Sequence, residues 1–177
     1  MNIVAISGSL RKDSFNTALL RTLQTLAPEG MSITIADING LPSYNQDDEG
    51  TYPAVAQTLK DAVASADGII FATPEYNRSI PGVLKNVIDW VSRPYGQNSF
   101  AHKPVLVAGV SVGKTGTAIA QSHLRQILTH LDMHVIGQPE IYLGPAQTLF
   151  DGEGNITDEL TKELLKKALG ILAERIA

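Results

Sequence analysis

Asn2-Ile3-Val4-Ala5-Ile6-Ser7-Gly8-Ser9-Leu10-Arg11-Lys12-Asp13-Ser14-Phe15-Asn16 opens the chain with a pattern that the remaining residues repeat. Ile3 to Ile6 is an unbroken apolar run rich in β-branched residues, which reads as a strand buried on both faces. A polar loop containing Gly8 follows. Over residues 15–26 the apolar residues Leu19, Leu20, Leu23 and Leu26 then recur at helical spacing.

The alternation continues to the end of the chain. Residues 31–38, 68–73 and 104–110 read as further strands, and 133–136 as a short fifth one. Residues 53–64, 81–91 and 117–131 read as helices, with Pro53 suited to a first-turn position. Residues 157–176 form a last helix with Leu160, Leu164, Leu165, Ala168, Leu172 and Ile176 on one face. Strand–helix alternation with near-continuous apolar strands predicts a parallel sheet covered on both faces. Five strands and five helices suit an α/β protein with a flavodoxin-like, doubly wound five-stranded parallel sheet, one domain over residues 1–177. Right-handed crossovers place every strand-to-helix loop at one sheet edge, where ligands bind. The loops after strands one, three and four are therefore the ones that matter.

Composition narrows the functional classes. Hydrophobic residues make up 44% of the 177 and charged ones 18%, enough for a packed core. A net charge of −4 argues against general nucleic-acid binding, which needs a basic face. The absence of cysteine excludes disulfides, thiol catalysis and thiolate-held metal centres. No apolar run approaches the roughly 20 residues that span a bilayer, and no basic segment precedes the first strand. A cytoplasmic protein with neither membrane nor nucleic-acid partners is expected.

In the first loop, Gly8 lets backbone approach a ligand closely. Ser9, Ser14 and Asn16 offer side-chain donors, and Arg11 offers a planar fork for phosphate oxygens. The helix start adds free N–H groups and a positive dipole end. The same residues also suit a plain polar loop in which Ser14 is an ordinary N-cap. GxGxxG would need glycine where Leu10 stands, and no GK[ST] follows. In the second loop, Pro74 and Pro81 stiffen the segment Thr73-Pro74-Glu75-Tyr76-Asn77-Arg78-Ser79-Ile80-Pro81-Gly82. Tyr76 can pack on a planar ring, although a proline-stiffened connection without a ligand has the same sequence. Lys85 and Asp89 read as a solvated i,i+4 pair and Trp90 as a core or interface anchor.

Other motifs compete. Gly109-Val110-Ser111-Val112-Gly113 satisfies GxSxG between a strand and a helix, so Ser111 is a candidate hydrolase nucleophile with Asp132 and His134 as later partners. Those two residues lie only two apart around a short strand, an awkward acid–His pair. Gly113-Lys114-Thr115 resembles the end of a P-loop, but the required first glycine falls on Ala108. Asp151-Gly152-Glu153-Gly154-Asn155 lacks the glycine and glutamate of a calcium loop and reads as a turn or hairpin tip. His102, His123, His130 and His134 show no metal-ligand spacing. Asp37 leads into the loop 39–45, which is expected to border the site.

Taken together, Gly8-Ser9-Leu10-Arg11 with Ser14 and Asn16, then Pro74-Glu75-Tyr76-Asn77, Ser79, Pro81-Gly82, Leu84-Lys85-Asn86 and Ile88-Asp89-Trp90, carry a resemblance. The sequence resembles the NADPH-dependent FMN reductase family, which includes bacterial quinone and chromate reductases and azoreductase-like members. The likeness continues through His123-Leu124-Arg125-Gln126-Ile127-Leu128. The resemblance implies non-covalent FMN, with NAD(P)H as co-substrate and quinones, flavins, azo compounds or similar small molecules as acceptors. Carried over by position, Ser9, Arg11, Ser14 and Asn16 would hold the FMN phosphate. Pro74, Glu75, Tyr76 and Asn77 would line the isoalloxazine, and Ser111 and Gly113 would close the other side. It also implies a homodimer or homotetramer. Arg78 stands where related sequences often carry a smaller or aromatic residue. No catalytic acid, base or nucleophile is required, because the cofactor carries the hard step. A non-enzymatic, flavodoxin-type electron carrier is the alternative, and a serine hydrolase at Ser111 a weaker one.

Overall fold

A computed structural model describes residues 1–177. Its strands are β1 (Asn2–Ser7), β2 (Ser32–Ile35), β3 (Gly68–Ala72), β4 (Pro104–Val110), β5 (His134–Val135) and β6 (Ile141–Leu143). Its α-helices are α1 (Phe15–Thr25), α2 (Ala54–Ser65), α3 (Gly82–Ser92), α4 (Ala118–His130) and α5 (Glu159–Ile176). The strands run in the order β2-β1-β3-β4-β5, every pairing is parallel, and β6 also pairs with β4. This is the flavodoxin-like doubly wound sheet, with its direction of winding switching between β1 and β3.

The alternation within each strand explains the two layers. Ile3, Ala5, Ile70, Ala72, Leu106 and Ala108 face α1 and α5. Val4, Ile6, Ile69, Phe71, Val105 and Val107 face the layer that holds α2, α3 and α4. Both faces are apolar because both are covered, so these strands lack the polar positions of a half-exposed sheet. Trp90, Phe71 and Phe100 are fully buried in this framework.

The sheet edge departs from the single fifth strand expected at 133–136. That strand pairs with the start of β4, through Pro104 opposite His134 and Val105 opposite Val135. The chain then loops out and returns as β6, placing Ile141, Tyr142 and Leu143 opposite Ala108, Gly109 and Val110. Pro139 has no N–H to give to a ladder, so the edge is interrupted beside it. Helix boundaries follow their caps. Ser14 accepts from Thr17 N–H at 3.3 Å to start α1, and Asp158 accepts from Thr161 N–H at 2.7 Å, which starts α5 two residues later than the periodicity predicts. Pro53 and Pro81 sit at the N-cap position rather than inside the first turn. Asp151 closes a hairpin tip on itself, its carboxylate accepting from the N–H groups of Glu153 and Asn155 at 2.9 and 2.8 Å. Those bonds hold its pKa below the ordinary aspartate value. No helix is long and apolar enough to cross a membrane.

Leu169 of α5 is fully buried against the β1–β3–β4 face. Leu169→Ala should cost about 2–5 kcal/mol through lost burial and a residual cavity. A urea midpoint that falls while the slope stays constant would verify this.

Candidate functional site

Three loops leave the C-terminal edge of the sheet in register. The backbone ladder continues one residue past each strand. Gly8 N–H donates to the Ala72 carbonyl at 2.8 Å, Thr73 N–H to Ala108 at 3.0 Å, and Ser111 N–H to Leu143 at 3.0 Å. Asn16 adds a cross-tie. Its Nδ2 donates to the Val110 carbonyl and its Oδ1 accepts from Val110 N–H, both at 3.0 Å and buried. The first turn of α1 is thus fixed to the end of β4.

A cleft of about 250 Å3 lies between these loops, lined by Ser9, Arg11, Ser14, Phe15, Asn16, Pro74, Glu75, Tyr76, Val110, Ser111 and Val112. Larger clefts lie elsewhere, one of about 800 Å3 between α3 and α4 and one of about 890 Å3 where β5 meets α5. Neither is lined by the loops after β1 and β4. Eight of the residues singled out from sequence therefore share one cavity. Asn77 and Gly113 are not among its walls. Asn77 is at the tip of a turn, and the Gly113 carbonyl accepts from Ser111 Oγ at 3.1 Å. Phe15, Val110 and Val112 line the cleft without having been singled out. Phe15 was legible only as the first residue of a helix, and the two valines as strand end and loop.

At one end of the cleft the donors gather. Ser9 Oγ accepts from Arg11 N–H at 3.3 Å, and Ser14 Oγ accepts from Thr17 N–H at 3.3 Å. Each hydroxyl therefore keeps its own proton for another acceptor. The Arg11 guanidinium lies over the Phe15 ring, 5.4 Å from its centroid, and bonds the Asp13 carbonyl. Unpaired N–H groups in the first turn of α1 add to the positive field.

The opposite wall is built by the loop after β3. Thr73 is fully buried and donates its hydroxyl to the Pro74 carbonyl at 2.8 Å. Glu75 reaches across to α4, where Oε2 accepts from the N–H groups of Ile119 and Ala120, each at 3.1 Å. Thr117, the N-cap residue of α4, makes no side-chain capping bond, so Glu75 caps that helix from outside. Tyr76 and Ser79 exchange backbone bonds at 3.0 Å around a two-residue turn, with Asn77 at φ 51° and Arg78 at φ 63°. Tyr76 is about half exposed on the rim.

Gly109, the penultimate residue of β4, sits where neighbouring backbone and side chains pack closely. A Cβ on Gly109 would lie 1.9 Å from Thr117 Oγ1 and 2.5 Å from the Thr73 carbonyl oxygen. The Ser111 hydroxyl donates to the Gly116 carbonyl at 2.8 Å. Asp132 pairs with His102 at 3.2 Å, not with His134. His134 faces Pro104 at the start of β4, seven residues and about 20 Å from the Ser111 end. The hydrolase triad is therefore not assembled. The loop 39–45 supplies none of the residues lining this cleft, and it and the segment after it are tied to α3. Tyr44 N–H donates to Asn86 Oδ1 at 2.7 Å, and Tyr52 donates to the Arg93 carbonyl at 3.1 Å. Burial, with Glu49 nearby, pushes the Tyr52 phenol up to about 12.

A family model for NADPH-dependent FMN reductases matches residues 1–148. The chain belongs to the NADPH-dependent FMN reductase family. It is 48% identical over 166 residues to a 2-hydroxy-1,4-benzoquinone reductase of a Burkholderia species, covering 94% of this chain and 91% of that one. It is 45% identical over 173 residues to an NAD(P)H-dependent FMN reductase of Pseudomonas aeruginosa, covering 97% and 93%. Among solved structures, the flavoenzyme NAD(P)H:(acceptor) oxidoreductase FerB of Paracoccus denitrificans superposes with a TM-score of 0.92 at 39% identity, covering 99% of this chain and 96% of that one. As an FMN reductase family member, this chain has a cleft whose donor set fits a phosphate: two hydroxyl protons not given to protein acceptors, one guanidinium and a helix start.

Gly109→Ala should cost about 1–3 kcal/mol through overpacking and loosen the whole cleft. Gly137 has open space around its Cβ position, so Gly137→Ala should melt close to wild type. Thermal unfolding of the two variants side by side checks this.

Proposed function

We propose that this protein is an FMN-dependent NAD(P)H oxidoreductase, working as a single domain on quinones and similar flat acceptors. The observation that carries the reading is the gathering of Ser9, Arg11 and Ser14 at the start of α1, with the Pro74–Tyr76 wall across the same cleft. Ser9, Ser14 and Arg11 would hold the terminal phosphate of FMN. Asn16 would act mainly by position, because both ends of its amide are engaged with Val110. Pro74, Glu75 and Tyr76 would border the ring system, with Ser111 and Gly113 shaping the far side through their mutual hydrogen bonds. Asn77, at the turn tip, would border the ring through its backbone.

Bound FMN supplies two-electron chemistry, taking a hydride equivalent from NAD(P)H and passing reducing equivalents to an acceptor. The chain contributes orientation and shape. The exposed apolar side chains Tyr76 and Val112 line the cleft and favour flat organic molecules. No residue is assigned as a general acid or base. The exposed groove between α3 and α4, with Tyr95 91% exposed on it, supports assembly as a homodimer or homotetramer. A monomer mass by light scattering would contradict that part.

The purified protein is expected to be yellow, to release FMN on heating, and to oxidise NAD(P)H with a quinone as acceptor. FMN binding without direct reduction by NAD(P)H in stopped flow would point instead to an electron carrier. Arg11→Ala should weaken FMN about tenfold, the lower end of a charge-assisted bond because Arg11 is exposed. Riboflavin, which has no phosphate, should lose much less. Equal losses, measured by fluorescence titration, would contradict the phosphate assignment.

A further inference from the structure

Arg78 has an unusual setting. It is the second residue of a two-residue turn closed by Tyr76 and Ser79, at φ 63°. Turns with both central residues in the left-handed region favour Asn followed by Gly. Here Asn77 fits the first place, but an arginine holds the second against its backbone preference. Residues held in this backbone region persist where the surrounding structure fixes them, often at ligand sites.

The side chain is free to act. It is 72% exposed, and its one ion pair is with Glu75 Oε1 at 3.3 Å. The other Glu75 oxygen is committed to the N-terminus of α4. A guanidinium offers five N–H donors in a planar fork, so most of the Arg78 fork faces outward. It stands beside Tyr76, whose half-exposed ring forms the rim of the proposed flavin cleft. The phosphate end of that cleft is the work of Arg11, on a different loop. Arg78 is therefore a second, separately held cation, two residues along the loop from the Tyr76 rim of the cleft and outside its lining.

Resting on the FMN reading above, we propose that Arg78 is a specificity-determining residue that selects an oxyanion on the second ligand. The anionic group is either the 2′-phosphate of NADPH or an acidic substituent on the electron acceptor. In both cases the fork supplies charge-assisted hydrogen bonds outside the reacting ring, so it biases selection and takes no part in the redox step.

The test compares Arg78→Gln and Arg78→Asn in the FMN-loaded protein. Asn tolerates the left-handed backbone and guards against a folding artefact. Lys167→Gln removes one exposed positive charge from α5 and controls for general steering. The readouts are the kcat/KM ratio of 1,4-naphthoquinone-2-sulfonate to 1,4-naphthoquinone, the kcat/KM ratio of NADPH to NADH, and calorimetric binding of 2′,5′-ADP. A fall of about tenfold in either ratio, the scale of one charge-assisted bond, supports the proposal and identifies which source supplies the anion. Weaker 2′,5′-ADP binding should accompany a fall in the nucleotide ratio alone. Ratios within twofold of wild type in both Arg78 variants, with FMN content unchanged, overturn the proposal. So does an equal fall in Lys167→Gln. A wild-type protein without FMN or NAD(P)H oxidation would overturn the flavin reading itself and this proposal with it.

Discussion

A reciprocal pair of buried hydrogen bonds joins the Asn16 amide to the main chain of Val110. It links two elements that lie 94 residues apart and fixes the first turn of α1 relative to the end of β4. Without it, the main-chain N–H and carbonyl of Val110 would be buried and unpaired, a cost of about 1–3 kcal/mol per group. With it, the serines and arginine of the first loop hold a constant distance from the wall of the third strand. The cleft follows from that constraint together with the ladder bonds at Gly8, Thr73 and Ser111.

Glu75 extends the same logic to the outer rim. One carboxylate oxygen caps α4 and the other meets Arg78. A negative group at a helix N-terminus is stabilised by the helix dipole and by unpaired N–H groups. The loop after β3 is thus anchored by electrostatics to the next helix but one, not only stiffened by its prolines. The position of Tyr76 is inherited from this anchor. A carboxylate in the cleft wall is therefore compatible with an anionic ligand nearby, because its charge is already engaged on its far side.

The sheet was legible in the sequence because its strands are buried on both faces and its helices repeat at their own period. Short apolar runs such as 69–72 and 104–108 have no other stable use in a chain of this composition. The site was partly legible, since Ser9, Arg11, Ser14, Pro74 and Tyr76 fall in loops that the topology brings to one edge. What escaped was long range or conformational. β6 is three residues long behind a proline and carries too little periodicity to declare itself. The capping role of Glu75 needs α4, 44 residues away, and the role of Asn16 needs Val110. Neither partner is visible in local spacing. The left-handed Asn77-Arg78 pair was hidden for the opposite reason, since an arginine there contradicts the residue preference that marks such turns.

The hydroxyl groups around the cleft separate the competing chemistries. Ser111 occupies the place of a nucleophile in a GxSxG motif, but its proton is given to the carbonyls of Gly113 and Gly116. His134 is not placed to take that proton, because it stands at the other end of β4. Ser9 and Ser14 are arranged the other way, each accepting a backbone bond and keeping its own proton. One serine is thus spent on holding a glycine-rich loop in shape, and two are left as donors beside a cation and a helix start. Such a distribution suits a site that grips an oxyanion tail and leaves the reaction to what the tail carries.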